Sequence, residues 1–213
     1  MITLKSAREI EAMDRAGDFL ASIHIGLRDL LKPGVDMWEV EEYVRRRCKE
    51  ENVLPLQIGV EGSIMDYPYA TCCSLNDEVA HAFPRHYILK DGDLLKVDMV
   101  LSEPIDKSVL DVSKLDFDNV AQVKKYTESY AGGLADSCWA YAIGTPSDEV
   151  KNLMEVTREA MYLGIEQAVV GNRIGDIGAA IQEYAERRGY GVVRDLDGHG
   201  VGPTMHEEPM VPN

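Results

Sequence analysis

A chain of 213 residues, 45% hydrophobic and 28% charged, has the size and composition for one large domain or two fused halves around a real core. Its formal net charge of -15 disfavours phosphate backbones and anionic lipid, which excludes nucleic acid and membrane as default partners. No apolar run approaches the roughly 18 residues of a membrane span. The start, Met1 to Ser6, has no signal-peptide core, and Cys48, Cys72, Cys73 and Cys138 form no C-x-x-C pair, so reduced thiols in the cytoplasm are the better reading.

In chain order, apolar or small residues at Ile10, Met13, Gly17, Leu20, Leu27 and Leu31 predict a long amphipathic helix, stopped by Lys32-Pro33-Gly34. A second helix follows, capped by Asp36 with Glu39 three residues on. Val53 to Val60 is β-branched and strand-like. Thr71 to Leu75 is a strand candidate ending in the turn Asn76-Asp77-Glu78, with His81 just beyond. Asp91-Gly92-Asp93 launches a strand over Leu94 to Leu101, with Asp98 in its middle. A mixed-charge stretch then runs to Gly132-Gly133 and contains a short helix near Val120 to Tyr126. Asp136 lies in another strand, Ala135 to Ile143. A helix over Ser147 to Val170, a break at Gly171-Asn172, a helix over Asp176 to Arg188 and a strand over Tyr190 to Val193 complete the order.

One segment recurs. Glu42-Tyr43-Val44-Arg45-Arg46-Arg47 is echoed by Glu183-Tyr184-Ala185-Glu186-Arg187-Arg188, and both lie within a helix–break–helix–strand order. Duplicated α+β halves follow from that pattern more than from the six residues.

The chemistry-bearing residues stand out by their surroundings. A carboxylate in an apolar run needs a counter-charge, and a metal ion is the strongest available. If the strands holding Asp98 and Asp136 pair antiparallel, one face can aim both carboxylates at a shared ion. Taken singly, each Asp is as readily a solvated turn or strand-edge residue. His24 on the first helix and His86 in a polar loop read as solvated. His199 stands between glycines in Gly198-His199-Gly200-Val201-Gly202, and His206 opens His-Glu-Glu-Pro-Met. That is not a zincin motif, since position 210 is Met.

At these residues the chain resembles bacterial type I methionine aminopeptidase, a metallopeptidase family. The resemblance is carried by Ser74 to Pro84, by Asp91-Gly92-Asp93 through Asp98, by Gly198 to Gly202 and by His206-Glu207-Glu208-Pro209. It implies an α+β pita-bread fold, two pseudo-symmetric halves with a curved antiparallel sheet and outer helices. It implies a metal-dependent aminopeptidase that removes the N-terminal methionine from nascent proteins by attack of metal-activated water. Asp98, Asp136 and His199 become metal ligands. His81 and His206 become catalytic and substrate-contacting histidines, and Tyr67, Cys72 and Met205 line the methionine pocket. For Met205, where an aromatic residue is common in the family, simple core packing stays equally open. The cofactor is two divalent ions, Mn, Fe, Co or Zn, matched to carboxylate and imidazole donors. The implied partners are nascent peptides with Met followed by a small residue and, in passing, the ribosome; the enzyme is expected to be a cytoplasmic monomer.

Two departures accompany the resemblance. The ligand Asp residues are usually about ten residues apart in the family; here 102–133 forms an insertion between Asp98 and Asp136, expected at the surface and replaceable by a tight turn. The family's two glutamate ligands lie beyond position 213, so 1–213 is expected to be one catalytic domain, C-terminally incomplete and inactive alone. An X-Pro peptidase is the rival within the fold, disfavoured because those enzymes carry a preceding domain. A silent, partner-binding member is the rival of another class, disfavoured by the retained ligand and histidine positions.

Overall fold

A computed structural model describes residues 2–212. The chain divides into two compact units, the first built from 5–145 with 201–205, the second mainly from 146–200 with the segment that starts at His206.

The first unit begins with α1 (Ala7–Leu30). Ser6 Oγ accepts the Glu9 amide, and Glu9 Oε2 accepts the Ser6 amide at 2.7 Å, a reciprocal cap that satisfies two otherwise orphaned donors. Its buried stripe, Ala16, Leu20, Ile23 and Leu27, has the three-and-four spacing of one helix face. α2 (Trp38–Glu51) has Met37 at its N-cap, one residue beyond the expected Asp36, but the expected pair still closes its start: Asp36 Oδ1 accepts the Trp38 amide and Glu39 Oε1 accepts that of Asp36. Val40, Val44 and Cys48 are fully buried, and burial of each large apolar side chain contributes roughly 1.5–3 kcal/mol.

Three strands form an antiparallel sheet in the order β1 (Cys72–Leu75), β2 (Leu94–Ser102) and β3 (Leu134–Ala142). α1 packs on β2 and β3. Val97, Met99, Trp139 and Tyr141 alternate onto one face, and Val97 and Met99 are fully buried in the core.

Val53 to Val60 departs from the strand expectation. Leu56 N donates to Val100 O and Ser102 N to Leu54 O, but only an isolated bridge, Pro55 to Leu101, results. Leu54 N donates to Ser102 Oγ at 2.9 Å and not to a β2 carbonyl, so the ladder stops after one bridge.

His24 is also not solvated; it is fully buried. The Tyr141 hydroxyl donates to the His24 carbonyl at 3.0 Å, so at 2.8 Å it accepts from Nδ1. Nε2 is then bare and takes the Ser137 hydroxyl at 3.1 Å, while the imidazole stacks on Trp139 at 4.7 Å. His86, by contrast, is exposed and bonded to Asp36 at 2.7 Å. Burial pushes His24 down to about 4, so the unfolded chain takes up this proton first as pH falls. The stability carried by the neutral ring is therefore complete above about pH 6.5 and lost toward pH 4, roughly 2–3 kcal/mol by linkage. His24→Gln should flatten the dependence of urea midpoints on pH across that window; an unaltered slope would assign the titration elsewhere.

The segment between β2 and β3 divides by residue type. Lys107, Asp116, Asp118 and Lys125 are exposed, while Val112, Leu115, Phe117 and Val123 are buried in the core of the first unit. Asn52, left-handed at φ 58°, ends α2, and its side chain bonds Ile105 O, Leu110 O and the Val112 amide at 2.6–2.8 Å. The helix expected near Val120 to Tyr126 is present as α3 (Val120–Thr127).

In the second unit α4 (Asp148–Gln167) packs against α5 (Ile174–Glu186), and β4 (Asp197–Gly200) pairs antiparallel with β5 (Glu207–Pro212). Tyr190 to Val193 is not a strand. Tyr190 and Val192 instead line an apolar groove of about 460 Å³ with Leu153, Val156 and Ile181. Among the described residues no strand pairs with this segment, and Val192 meets helices while Val193 is exposed.

Candidate metal and substrate site

Strand register brings the two carboxylates together on the sheet. Asp98 stands opposite Cys72 on one side and Cys138 on the other, and Asp136 stands opposite Val100. Opposed residues share a face, as do residues two apart, so Cys72, Asp98, Cys138 and Asp136 occupy one face, opposite the one that packs on α1. Asp98 and Asp136 are diagonal neighbours, a relation that separates Cα atoms by about 7–8 Å and lets two carboxylates approach one centre. Asp98 is half-buried and Asp136 exposed on the edge strand.

The donor chemistry of this face suits a hard divalent ion. Cys72 is 3% exposed, and burial pushes its thiol up to about 12, so the anionic donors at neutral pH are carboxylates and not this thiolate. The Tyr67 hydroxyl bonds Thr71 O at 3.0 Å and lies beside Cys72; burial raises its pKa as well. The Tyr67 ring meets Phe83 edge-on at 5.2 Å and Tyr69 at 6.2 Å. Tyr67, Cys72 and this aromatic group are thus brought together within the first unit. Met205 packs, partly buried, against the same core.

His81 is exposed, with a left-handed φ of 59° that few non-glycine residues adopt and that recurs at functional positions. In the second unit His199 lies on β4 opposite Met210, and His206 immediately precedes β5; the two rings are 4.5 Å apart. His199 Nδ1 lies 3.0 Å from Gly200 O, an acceptor, so Nδ1 carries the hydrogen and Nε2 is left as a donor of electrons to an ion. The neighbouring glycine has a structural reason: a Cβ on Gly200 would lie 2.8 Å from Glu208 O, so the close approach here is between β4 and β5. Among the described residues no group of three or more His, Cys, Asp or Glu is gathered to hold a metal ion.

Two residues near this site escaped the sequence reading. Glu41 is fully buried; it accepts the Ala70 amide at 2.8 Å and the Thr71 hydroxyl at 2.6 Å. Its signal was its place beside Val40 and Val44 on the buried stripe of α2. Gln57 is 7% exposed and bonds Cys72 Sγ at 3.4 Å through Nε2, while its Oε1 is buried without a partner. Nothing in the sequence distinguished it from a solvated amide.

The profile of Metallopeptidase family M24 matches residues 11–102 and 125–213, leaving 103–124 unmatched, and the chain belongs to that family. Within it the similarity is to methionine aminopeptidases. The enzyme of Clostridium acetobutylicum is 36% identical over all of this chain and 73% of its own length. A solved methionine aminopeptidase from Streptococci is 88% identical and superposes with a TM-score of 0.91 over all of this chain and 74% of that one. That of Thermotoga maritima is 32% identical, with a TM-score of 0.81 over 100% and 74% of the two chains. The fold is accordingly the pita-bread fold. A prolidase from Pyrococcus furiosus, 19% identical with a TM-score of 0.73 over 98% of this chain and 52% of that one, shares the fold alone.

Proposed function

We propose that this chain is a metal-dependent aminopeptidase that removes methionine from the N-terminus of peptides. The observation that carries the reading is the shared face of Asp98 and Asp136 on adjacent antiparallel strands, in a chain of family M24. The sequence similarity favours methionine release over X-Pro cleavage, since methionine aminopeptidases match at 29–88% and the prolidases at only 19–20%.

In this reading Asp98, Asp136 and His199 are ligands of two divalent ions, Mn, Fe, Co or Zn. When bound, such ions supply a nucleophilic water at neutral pH and Lewis acidity toward a carbonyl oxygen. The protein's part is to hold and to orient. Tyr67, Cys72 and Met205 receive the methionine side chain, His81 contacts the substrate beside the scissile bond, and His206 donates a hydrogen bond to its carbonyl oxygen as negative charge develops. The substrates are nascent chains whose second residue is small, met by a cytoplasmic monomer with transient ribosome contact. Among the described residues no helix is long and apolar enough to cross a membrane.

Protein that carries its complete set of metal ligands is expected to release Met from a Met-Ala-Ser peptide, to stop when the metal is chelated, and to resume when Mn or Co is restored. Release that is indifferent to chelation would overturn the metal reading. His206→Ala should lower the rate constant of the chemical step by about 10²-fold with substrate binding retained. A loss of stability with normal turnover in the folded fraction would make His206 a support of its loop.

A further inference from the structure

The segment between β2 and β3 contacts the loop 57–71, which contains the pocket residue Tyr67 and leads into Cys72. Three contacts join them. Asp118 Oδ1 accepts from Arg45 Nη1 at 2.6 Å; Arg45 also donates to Pro68 O at 3.3 Å and pairs with the buried Glu41, which holds the Ala70 amide and the Thr71 hydroxyl. Lys124 Nζ pairs with Asp66 at 2.8 Å. Thr127 Oγ1 donates to Ile58 O at 3.1 Å. Between these contacts α3 lies directly on Gly59, where an added Cβ would come 2.7 Å from Lys124 Cβ.

We propose that the 103–133 segment is a positioning element for the methionine pocket, in which Asp118, through Arg45 and Glu41, and Lys124, through Asp66, clamp the loop that carries Tyr67. The physical case is one of constraint. Residues 61–66 have few buried side chains of their own; Glu61 to Met65 are exposed. Such a loop opens locally at little cost unless fixed from outside. The clamp supplies fixed charges at both ends: Asp66 precedes Tyr67 directly, and Pro68, Ala70 and Thr71 follow it. Thr71 O is in turn the acceptor of the Tyr67 hydroxyl, so the hydrogen-bonded chain from Asp118 ends on the aromatic ring of the pocket. Arg45 suits the middle of that chain because its planar fork can serve Glu41, Asp118 and a carbonyl at once, which a lysine cannot.

The proposal rests on the reading of Tyr67 and Cys72 as pocket residues, and the experiment separates the two. Asp118→Ala and Lys124→Met, singly and together, are compared with wild type by hydrogen exchange at amides 59–71 and by kcat and KM on Met-Ala-Ser. Asp118 is 84% exposed, so its removal leaves the core intact. Lys114→Met, which breaks a local exposed pair with Asp111, is the control and should change neither readout. Each pair at such exposure is worth up to about fivefold, so the double variant should exchange about 10-fold faster in this loop with α1 unchanged. KM should rise several-fold with kcat within about twofold, and Asp118→Glu should restore both. Unchanged exchange overturns the clamp. Faster exchange with unchanged KM overturns the placement of Tyr67 in the pocket. If wild type with its complete set of metal ligands releases no Met at all, the functional reading fails and exchange alone decides the clamp.

Discussion

Asp98→Asn is expected to abolish turnover, by about 10³-fold or more, while the thermal midpoint stays close to that of the parent. Loss of outer-sphere partners alone commonly costs 10–100-fold, and an inner ligand should exceed that. The substitution is nearly isosteric, and Asp98 is only half-buried between Cys72 and Cys138, so the sheet has no reason to rearrange. Asp136→Asn should behave in the same way, and the two together should be little worse than either, because groups that act as a unit are not additive. Bound metal, measured on the same preparations, should fall in step with activity. Wild-type turnover in Asp98→Asn would remove this residue from the ligand set.

Phe117→Ala should destabilise the protein by about 3–5 kcal/mol, the usual cost of a large cavity in a well-packed core. Phe117 is 2% exposed, and the Lys49 ammonium lies 5.0 Å from its ring centroid. Asp116→Ala, one residue away and exposed, should change stability by no more than about 0.5 kcal/mol. Urea unfolding of the two variants measures the contrast. For the same reason, replacing 103–124 by a tight turn should cost stability, against the expectation drawn from its charged composition. A Phe117→Ala effect below about 1 kcal/mol would return the segment to the status of a surface excursion.

Much of the local structure was legible in the chain. Apolar spacing marked α1, and the Asp36–Glu39 pair marked the start of α2, because capping and helical periodicity are decided within a few residues. The strand bearing Asp98 was legible from its apolar run and the turn Asp91-Gly92-Asp93 before it, and that bearing Asp136 from the apolar segment Ala135 to Ile143 after Gly132-Gly133. The sequence also singled out both residues as candidate ligands, since a carboxylate in an apolar run is costly without a counter-charge.

Other features could not be read from neighbours in sequence. His24 looked like a solvated helix residue because its partners, Ser137, Trp139 and Tyr141, lie more than a hundred positions away on β3. Val53 to Val60 and Tyr190 to Val193 have strand composition, yet a strand requires a partner for its donors; in one case the Ser102 hydroxyl takes the Leu54 amide, and in the other helix packing replaces the partner. The mixed charge of 102–133 concealed four core residues, because a short segment with scattered hydrophobes has no period to show which side faces inward. Residue types and short-range spacing thus determined the helices, the strands β1 to β3 and the chemistry that this protein could support. Register and burial, which depend on contacts between distant segments, decided that Asp98 and Asp136 share a face and that Glu41 and Arg45 stand behind the loop of Tyr67.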